Sequence, residues 1–373
     1  SKRVNYFKHR GRKVLTNRVS KLVAPQGTFM QRSVTYHRVV VDTFSWVLYG
    51  IERYNEPQFS ENIQNRLHKL GEWQYKMIAS TSTGNAPNIG SNDGAMFETL
   101  HNCDYRDFRP STQLFFGILK KMRLFASGDF DEALYWRYPE KWKGFPVLEL
   151  KQPVVEILDK QFLIMTNGNT KIILKVPSDQ FRPSACDAFH LDVWHRGENI
   201  LCDSGSYSYN AGEETTWFKS VQAHNTVQFG NSQQMPKISR FLYGKWINAK
   251  NIQCHKNNQS IVFSASFSDC RGNIHKRKIE YKTIVNQLTV DDFIQANNDT
   301  KATIYWHFPE NGLVRNKEGI QLKYLMDLKV DHFEKSKLNK HSASLYYMEK
   351  HKIYCLTIPK KNDGIFKTVI NLK

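Results

Sequence analysis

The sequence predicts a two-domain protein that is helical in its first part and built from antiparallel strands in the rest. Before about residue 127, apolar residues recur at every third or fourth position, which is the period of an α-helix. After residue 154 they alternate or form short runs, separated by tight-turn sequences such as Asn167-Gly168-Asn169. With 373 residues, the chain is also too long for one ordinary core. We therefore expect a helical domain over residues 1–145 and an antiparallel β-sandwich over residues 146–373.

Four amphipathic helices are predicted in the first domain. They cover about residues 6–23, 33–51, 60–79 and 112–127. Residues 80–111 are rich in Gly, Asn, Asp and Ser, but apolar and aromatic residues run through them. Long loops of this kind are usually functional or disordered, and the aromatic residues favour an ordered one.

The chain is strongly basic, with a net charge of +18, and ten Lys or Arg residues precede the first acid, Asp42. Such an excess favours a polyanionic partner: an acidic polysaccharide, a nucleic acid or an anionic membrane. A lysine-rich coding bias is the alternative explanation. No RNP, zinc-finger or helix-turn-helix signature is present, so nucleic-acid binding is not expected. No apolar run approaches the roughly 18 residues of a membrane-spanning helix, so no span is predicted.

The six cysteines are scattered and include no Cys-x-x-Cys pair. Neither a zinc ribbon nor a dense disulfide framework is therefore predicted. Cys186 and Cys202 are the pair that neighbouring strands could bring close together. Phosphate-cradling and dinucleotide-binding loops are also absent from the sequence.

The densest group of titratable residues lies within residues 181–235. His190 and Asp192 alternate with apolar residues, which predicts a strand with one polar face. Asp203 follows the returning strand, and His224 lies at the edge of a later apolar run. A rigid sheet can present a binding site through titratable side chains at its strand ends. The alternative is that these side chains only bond turn amides and cap strands.

Four stretches together resemble the heparinase II/III-like family of polysaccharide lyases. They are SVTYHR (33–38), GNAPNIGSNDGA (84–95), HLDVWHRGENILCDSGSYSYN (190–210) and AHNTV (223–227). The resemblance extends over about residues 13–250. It implies a partial (α/α) toroid followed by a large antiparallel β-sandwich. It also implies cleavage of uronic-acid polysaccharides by β-elimination, in a cleft between the two domains.

The resemblance further implies that the chain is the C-terminal part of a longer protein, because the toroid needs more helices than the sequence predicts. The family's Asn-His motif, whose Asn helps to neutralise the substrate carboxylate, has no counterpart before Lys13. Relatives are mostly periplasmic, so the resemblance favours that compartment. The expected partner is an acidic polysaccharide. Neither its sugar nor the oligomeric state follows from these residues.

The resemblance also assigns catalytic candidates. Tyr36 matches the family's catalytic tyrosine, which can serve as both base and acid if nearby cations lower its pKa from about 10. His37 and Arg38 follow it directly, and Arg38 could supply such a charge. His190 and His224 are the catalytic or substrate-contacting candidates of the sandwich. For Tyr36, the alternative is a partly buried tyrosine that bonds one carbonyl group.

Asp203 and His224 match two of the three residues that hold a zinc ion in the family, so a structural zinc is a candidate cofactor. The third ligand is not found in the family pattern. His190 or Cys186 would replace it only with a different strand register. Without a metal, Asp203 and His224 would form a structural pair that braces the loop after the strand.

The chain departs from the family pattern at two positions. Ala185 stands where the third zinc ligand is expected, and Pro183 stands where a catalytic histidine is expected. These substitutions support an alternative function: a glycan-binding protein that keeps the fold but has lost the elimination chemistry.

Substrate contacts are expected from the polar loop and from the SYSYN motif. The candidates are Asn88, Asn92, Asp93, Arg106 and Tyr209. Arginine is the best geometric match to a carboxylate or sulfate group. The alternative is a polar loop that bonds only to itself.

Overall fold

The structure is a computed structural model that describes residues 2–148, 150–178, 181, 183–297, 300–360 and 363–373. It contains two compact units. The helical unit comprises Ser1–Ala86 and Ala95–Gln152, and the β unit comprises Pro87–Gly94 and Pro153–Lys373. Residues 87–94 therefore belong to the β unit, although helical-unit sequence precedes and follows them.

The helical unit extends past the predicted boundary at residue 145. Phe145, Leu148 and Leu150 pack against its hydrophobic core. The backbone N–H of Arg123 also donates to the carbonyl of Pro146 at 2.9 Å. The linker stays with the helices up to Gln152 because its apolar side chains find their partners there.

The four predicted helices are present in the helical unit, together with a short fifth one. They are α1 (Lys2–Leu22), α2 (Val34–Arg53), α3 (Glu61–Met77), α4 (Arg109–Lys120) and α5 (Glu132–Arg137). α4 ends well before residue 127 because Lys121 adopts a left-handed backbone conformation with φ 54°. α5 has no counterpart in the prediction, because six residues give too short a periodic pattern.

The start of α2 is fixed by a side-chain cap. The Ser33 hydroxyl accepts a hydrogen bond from the Tyr36 N–H at 3.1 Å, which satisfies one of the free donors of the first turn. The apolar stripes of the helices meet in one cluster that includes Val41, Leu67 and Phe115. This packing holds the first turn of α2, with Tyr36, on a rigid element.

The β unit contains nineteen strands and one helix, α6 (Glu213–Phe218), among its described residues. The strands are β1 (Val155–Leu158), β2 (Phe162–Asn167), β3 (Thr170–Lys175), β4 (Leu191–His195), β5 (Glu198–Leu201), β6 (Val227–Phe229), β7 (Lys237–Ser239), β8 (Leu242–Tyr243), β9 (Lys250–Lys256), β10 (Ser260–Ser268), β11 (Ile274–Lys282), β12 (Gln287–Gln295), β13 (Ala302–Pro309), β14 (Leu313–Arg315), β15 (Ile320–Leu322), β16 (Met326–Val330), β17 (Lys337–Ala343), β18 (His351–Lys360) and β19 (Gly364–Leu372).

The strands form three main antiparallel sheets. Their orders are β1-β2-β3-β4-β5, β14-β15-β16-β19-β12-β11-β10-β9 and β17-β18-β13-β6, and β7 pairs with β8. All three sheets contribute to one hydrophobic core, for example through Leu163, Phe263 and Trp306. Helices followed by antiparallel sheets confirm the coarse prediction, and the partial (α/α) toroid and the β-sandwich remain predictions.

β4 begins at Leu191, two residues later than the alternating pattern predicts. The cause is Phe189, whose φ of 59° lies in the left-handed region and interrupts the strand. Leu191 and Val193 enter the hydrophobic core, so the side chain of Asp192 lies on the other face. This alternation places a buried polar face, with Asp192, on the opposite side of β4 from the hydrophobic core.

Residues 87–94 are tied to loops of the β unit. Asn88 Nδ2 donates to the Ser344 carbonyl at 2.7 Å, and the Asn92 N–H donates to the Ser206 hydroxyl at 3.1 Å. Gly205, with φ 80°, packs against the hydrogen bond between Asn88 and Ser344. A Cβ at Gly205 would be 2.3 Å from Asn88 Nδ2. Glycine is therefore required at this position for both its conformation and its lack of a side chain.

In the parts of the chain that the structure covers, no helix is both long and apolar enough to cross a membrane. The six cysteines are free thiols, so Cys186 and Cys202 do not form a disulfide.

Candidate functional site

A buried group of titratable side chains lies at the ends of β4 and β5. It consists of His190, Asp192, Asp203 and His224, and we call it the His190–His224 cluster. His190 precedes β4, Asp192 lies within it, and Asp203 follows β5. His224 follows a single 3-10 turn, Val221–Ala223. Because β4 and β5 are antiparallel neighbours, the start of one meets the end of the other.

Asp203 is the centre of the cluster. Its Oδ2 lies 3.0 Å from His224 Nδ1 and 3.4 Å from His190 Nε2, and its Oδ1 accepts the Gly205 N–H at 2.7 Å. His190 Nε2 also lies 3.7 Å from Asp192 Oδ2. Asp203 and His224, which the sequence pairs, are thus joined by a direct hydrogen bond, and His190 approaches the same Asp203 oxygen.

Burial and charge act against each other at this pair. Burial alone would raise the pKa of Asp203, but the charges of His224 and His190 lower it to about 2. Burial opposes protonation of His224, but the charge and hydrogen bond of Asp203 raise the pKa of that histidine above its usual 6.5. Asp203 is therefore ionised at neutral pH and accepts the Nδ1 proton of His224.

The tautomer of His190 is set by Asn225. The amide nitrogen Nδ2 of Asn225 donates to the carbonyls of Leu191 and Cys202, at 2.8 and 3.1 Å. The backbone N–H of Asn225 donates to His190 Nδ1 at 3.0 Å. Nδ1 is therefore unprotonated, and the proton of neutral His190 lies on Nε2, towards Asp203 and Asp192.

This tautomer bears on the predicted zinc. One ligand atom from each of His190, Asp203 and His224 lies within 4.8 Å of the other two. A metal needs a lone pair from each imidazole, and the only one of His190 is occupied by the N–H of Asn225. In this arrangement the three residues do not fit a zinc ion. They form a hydrogen-bonded cluster, and the alternative role of Asp203 and His224, to brace the loop after β5, stays a prediction.

His224 and Asp203 line a small cleft of the β unit. The lining residues are Gly90, Ser91, Ser184, Ala185, Asp187, Asp203, Gly205, Ser206, Phe218, Lys219 and His224. Asp187 is neutralised by a buried ion pair with Lys175. His224 Nε2 is buried and has no hydrogen-bond partner among the described residues. The cleft is therefore lined by an imidazole nitrogen that no described residue hydrogen-bonds.

Lys219 is a cleft residue that the sequence analysis missed. Its Nζ lies 5.1 Å from the ring centre of Tyr209 and 5.0 Å from that of Phe241. Burial, reinforced by the charges of Lys237 and Arg240, lowers its pKa to about 8. Its position between the SYSYN and AHNTV motifs was the available signal, but nothing in the sequence shows that it is buried.

The other predicted contacts of the β unit lie nearby. Tyr209 is half-buried, and its N–H donates to the Tyr347 hydroxyl at 3.3 Å. Asn88 and Asn92 are buried, whereas Asp93 is half-buried. The Asn92 side chain accepts the Gly94 N–H at 2.8 Å, and Asn88 bonds to the Ser344 carbonyl. These hydrogen bonds favour a loop-bracing role for Asn88 and Asn92.

Tyr36, His37 and Arg38 lie in the helical unit with different exposures. Tyr36 is half-buried, but His37 and Arg38 are fully buried. His37 stacks on Trp73 at 4.0 Å and donates from Nε2 to the Leu70 carbonyl at 2.8 Å, and burial lowers its pKa to about 3. His37 is therefore neutral and part of the core in this conformation.

Arg38 and Arg106 are also buried, and each donates to a backbone carbonyl. The guanidinium of Arg38 lies 4.4 and 4.6 Å from the ring centres of Tyr105 and Phe108, and it donates to the Tyr105 carbonyl. Arg106 is buried and donates to the Ala86 carbonyl. His37 and Arg38, predicted to be catalytic, and Arg106, predicted to contact substrate, are buried side chains in this conformation.

The sequence profile "Heparinase II/III-like, C-terminal" matches residues 151–347, which is just over half of the chain. A search of curated proteins gives no significant sequence match. The chain is similar in fold to a heparinase III, with a TM-score of 0.75 and 16% identity over 99% of this chain and 56% of the other.

Two further solved structures are similar in fold. Heparan sulfate lyase HepC from Pedobacter heparinus gives a TM-score of 0.70 and 17% identity over 99% of this chain and 56% of that one. Chondroitin AC lyase from Streptomyces coelicolor, in complex with chondroitin sulphate, gives a TM-score of 0.59 and 11% identity over 94% of this chain and 53% of that one. The chain thus spans about half the length of the structures that it matches. On the profile match, this protein belongs to the heparinase II/III-like family.

Proposed function

We propose that this chain is part of a polysaccharide lyase that cleaves an acidic, uronic-acid-containing glycan by β-elimination. The family and the shared fold support the reaction class. The net charge of +18 supports a polyanionic substrate over a neutral one, because a basic surface attracts and retains negative chains.

β-Elimination removes the proton on the carbon beside the uronide carboxylate and expels the 4-linked sugar. The negative carboxylate opposes this step, so the enzyme must place positive charge or hydrogen-bond donors against it. It must also provide a base for the proton and an acid for the departing oxygen.

The observation that carries the proposal is the Asp203–His224 pair in a cleft that Lys219 also lines. Asp203 holds the Nδ1 proton of His224, so Nε2 is left for a ligand. A protonated His224 would donate from Nε2 to the substrate carboxylate, and Lys219 would add a second positive charge. Asp203 acts through His224 and is a positioning residue.

For the acid and base we propose Tyr36, on its match to the family motif. A phenol can remove the proton and then return it to the sugar oxygen if its pKa is lowered. Burial of His37 and Arg38 leaves Tyr36 as the half-buried member of this triplet. The two neighbours would support the first turn of α2 and not touch the substrate.

The test is turnover of uronic-acid polysaccharides by the full-length protein, followed by the ultraviolet absorbance of the unsaturated product. Tyr36→Phe should lower turnover by about a hundredfold or more, the usual contribution of general acid–base catalysis, while glycan binding persists. Tyr324→Phe is the matched control, because Tyr324 is 83% exposed. Undiminished turnover in Tyr36→Phe would remove Tyr36 from the mechanism.

A second candidate function is glycan binding without cleavage. Ala185 lines the cleft, at a position where the family resemblance leads us to expect a histidine. That histidine would be a zinc ligand, and a methyl group cannot bind a metal. Pro183 stands where the resemblance implies a catalytic histidine, and its side chain can neither donate to a carboxylate nor transfer a proton. Binding of an acidic glycan without any unsaturated product, in wild-type protein as well as in Tyr36→Phe, would favour this candidate.

A further inference from the structure

A second group of metal-ligating side chains lies on the β17-β18-β13-β6 sheet. His307 of β13 is directly opposite Cys355 of β18, and Cys355 is directly opposite Asn339 of β17. His341 is two residues beyond Asn339, on the same face of β17. The strand register thus brings His307, His341 and Cys355 to one face of the sheet, and Trp306 enters the hydrophobic core from the other face.

Asn225 also sets the tautomer of His307, with the opposite result from His190. Because Nδ2 of Asn225 donates to two carbonyls, its Oδ1 is an acceptor. The His307 N–H and Nδ1 lie 2.7 and 3.0 Å from this oxygen, so Nδ1 carries the proton. The lone pair of His307 is therefore on Nε2. This atom is buried and lacks a hydrogen-bond partner within the described ranges.

The other two candidate ligand atoms are a nitrogen of His341 and the sulfur of Cys355. His341 Nδ1 is buried and makes no hydrogen bond to any described residue. The thiol of Cys355 makes weak contacts only with main-chain groups among the described residues: the Leu356 carbonyl, at 3.9 Å, and the backbone of Trp306. One ligand atom from each of the three residues lies within 4.8 Å of the other two. Two buried imidazole nitrogens without a partner among the described residues, beside a weakly bonded thiol, are costly unless something binds them.

We propose that His307, His341 and Cys355 bind a zinc-class transition-metal ion. Two imidazoles and a thiolate are the borderline-soft donor set that Zn²⁺ prefers, at about 2.0–2.1 Å for nitrogen and 2.3 Å for sulfur. On binding, the Cys355 thiol gives its proton to solvent, and sulfur donates an electron pair to the metal. The metal's charge overcomes the burial that raises the pKa of the free thiol.

The site has an entry path. His341 is half-buried and lines an open cleft, together with Glu214, Trp217, Phe218, Ser342 and Lys350. An ion could enter from this side, and a water molecule would occupy the fourth position. The site shares no ligand with the His190–His224 cluster, and the inference does not depend on the proposed lyase activity.

The test is a titration of chelator-treated full-length protein with Co²⁺, which replaces Zn²⁺ and shows a thiolate-to-metal charge-transfer band. Wild type should give this band and bind about one ion per chain, displaceable by Zn²⁺. Cys355→Ser should abolish the band. His341→Gln, at a half-buried position that a polar side chain tolerates, should weaken Co²⁺ binding by at least about tenfold.

Two control variants separate this site from its neighbours. Cys254→Ser removes a half-buried thiol of β9, and Asp203→Asn removes a carboxylate of the His190–His224 cluster. Both should keep the band, and circular dichroism should show that every variant is folded. Absence of the band in wild type, its persistence in Cys355→Ser or in His341→Gln at full affinity, or its loss in Asp203→Asn would each overturn the proposal.

Discussion

The β unit contains two buried histidine–aspartate clusters that differ in how their charge is balanced. In the first, Asp292 accepts from His275 Nε2 at 2.6 Å and from Arg277 Nε and Nη2 at 2.6 and 2.9 Å. In the His190–His224 cluster, the two carboxylates, Asp192 and Asp203, have only histidines as ionic partners among the described residues. The first cluster is neutralised permanently, and the second is neutralised only when a proton or a ligand supplies positive charge.

The difference separates structural chemistry from candidate functional chemistry. Arg277 cannot lose its proton in a protein, so the Arg277–Asp292 pair is fixed at every working pH. His224 is titratable, and Asp203 raises its pKa above the usual histidine value, so the charge of its cluster can respond to pH and to a bound anion. A carboxylate that depends on histidine for its counter-charge is therefore the better indicator of a working site.

The largest expected loss of stability follows from disrupting the cluster of Asp292, His275 and Arg277. Asp292→Asn should destabilise the folded chain by about 3–5 kcal/mol, because it leaves the guanidinium of Arg277 buried without a counter-ion. Denaturant unfolding followed by circular dichroism measures this change. Asp291→Asn is the matched control, since Asp291 is the neighbouring, half-buried residue and points to the other face. A loss below about 1 kcal/mol would show that Arg277 finds another partner.

A smaller effect is expected for Asp203→Asn, about 1–3 kcal/mol. The Asn oxygen can still accept the Nδ1 proton of His224, but the negative charge is gone. The pKa of His224 should therefore fall, and proton NMR titration of its imidazole can follow this shift. An unchanged His224 titration, or a stability loss as large as that of Asp292→Asn, would contradict the distinction between the two clusters.

The smallest effect is the pH dependence of stability. The pKa of His224 is raised in the folded state, so its stabilising contribution is complete below 6.5 and is lost as pH rises through the folded value. The contribution of Asp203 is complete above 3.8 and is lost as pH falls towards about 2. The free energy of unfolding, compared between wild type and His224→Gln, should show the alkaline loss only in wild type.

The pairing of Asp203 with His224 could be predicted because both residues match zinc ligands in the motifs that carry the family resemblance. The role of His190 could not, because it depends on the left-handed conformation of Phe189 and on the tautomer set by Asn225. Neither the backbone conformation nor the tautomer changes the periodic pattern of apolar residues in the sequence. Lys219 was missed for a related reason: a lysine in a polar segment looks exposed until the tertiary structure buries it.

The helical unit also shows what sequence patterns cannot predict. Apolar periodicity predicts α2 well, but it cannot tell which polar residues of the first turn face the core. His37 and Arg38 are adjacent to Tyr36 in sequence, yet both are enclosed by aromatic rings and carbonyl groups. The His307–His341–Cys355 group comes from three strands whose long-range register no local spacing reveals.

The segment 87–94 has a practical consequence for dissecting the molecule. A fragment that starts at Pro153 would contain every strand of the β unit, and the matching family profile begins close to that point. It would nevertheless lack the amide that satisfies the Ser344 carbonyl and the backbone donor that satisfies Ser206. No single cut in the chain separates the two units intact. Measurements on the β unit therefore require a chain that retains residues 87–94.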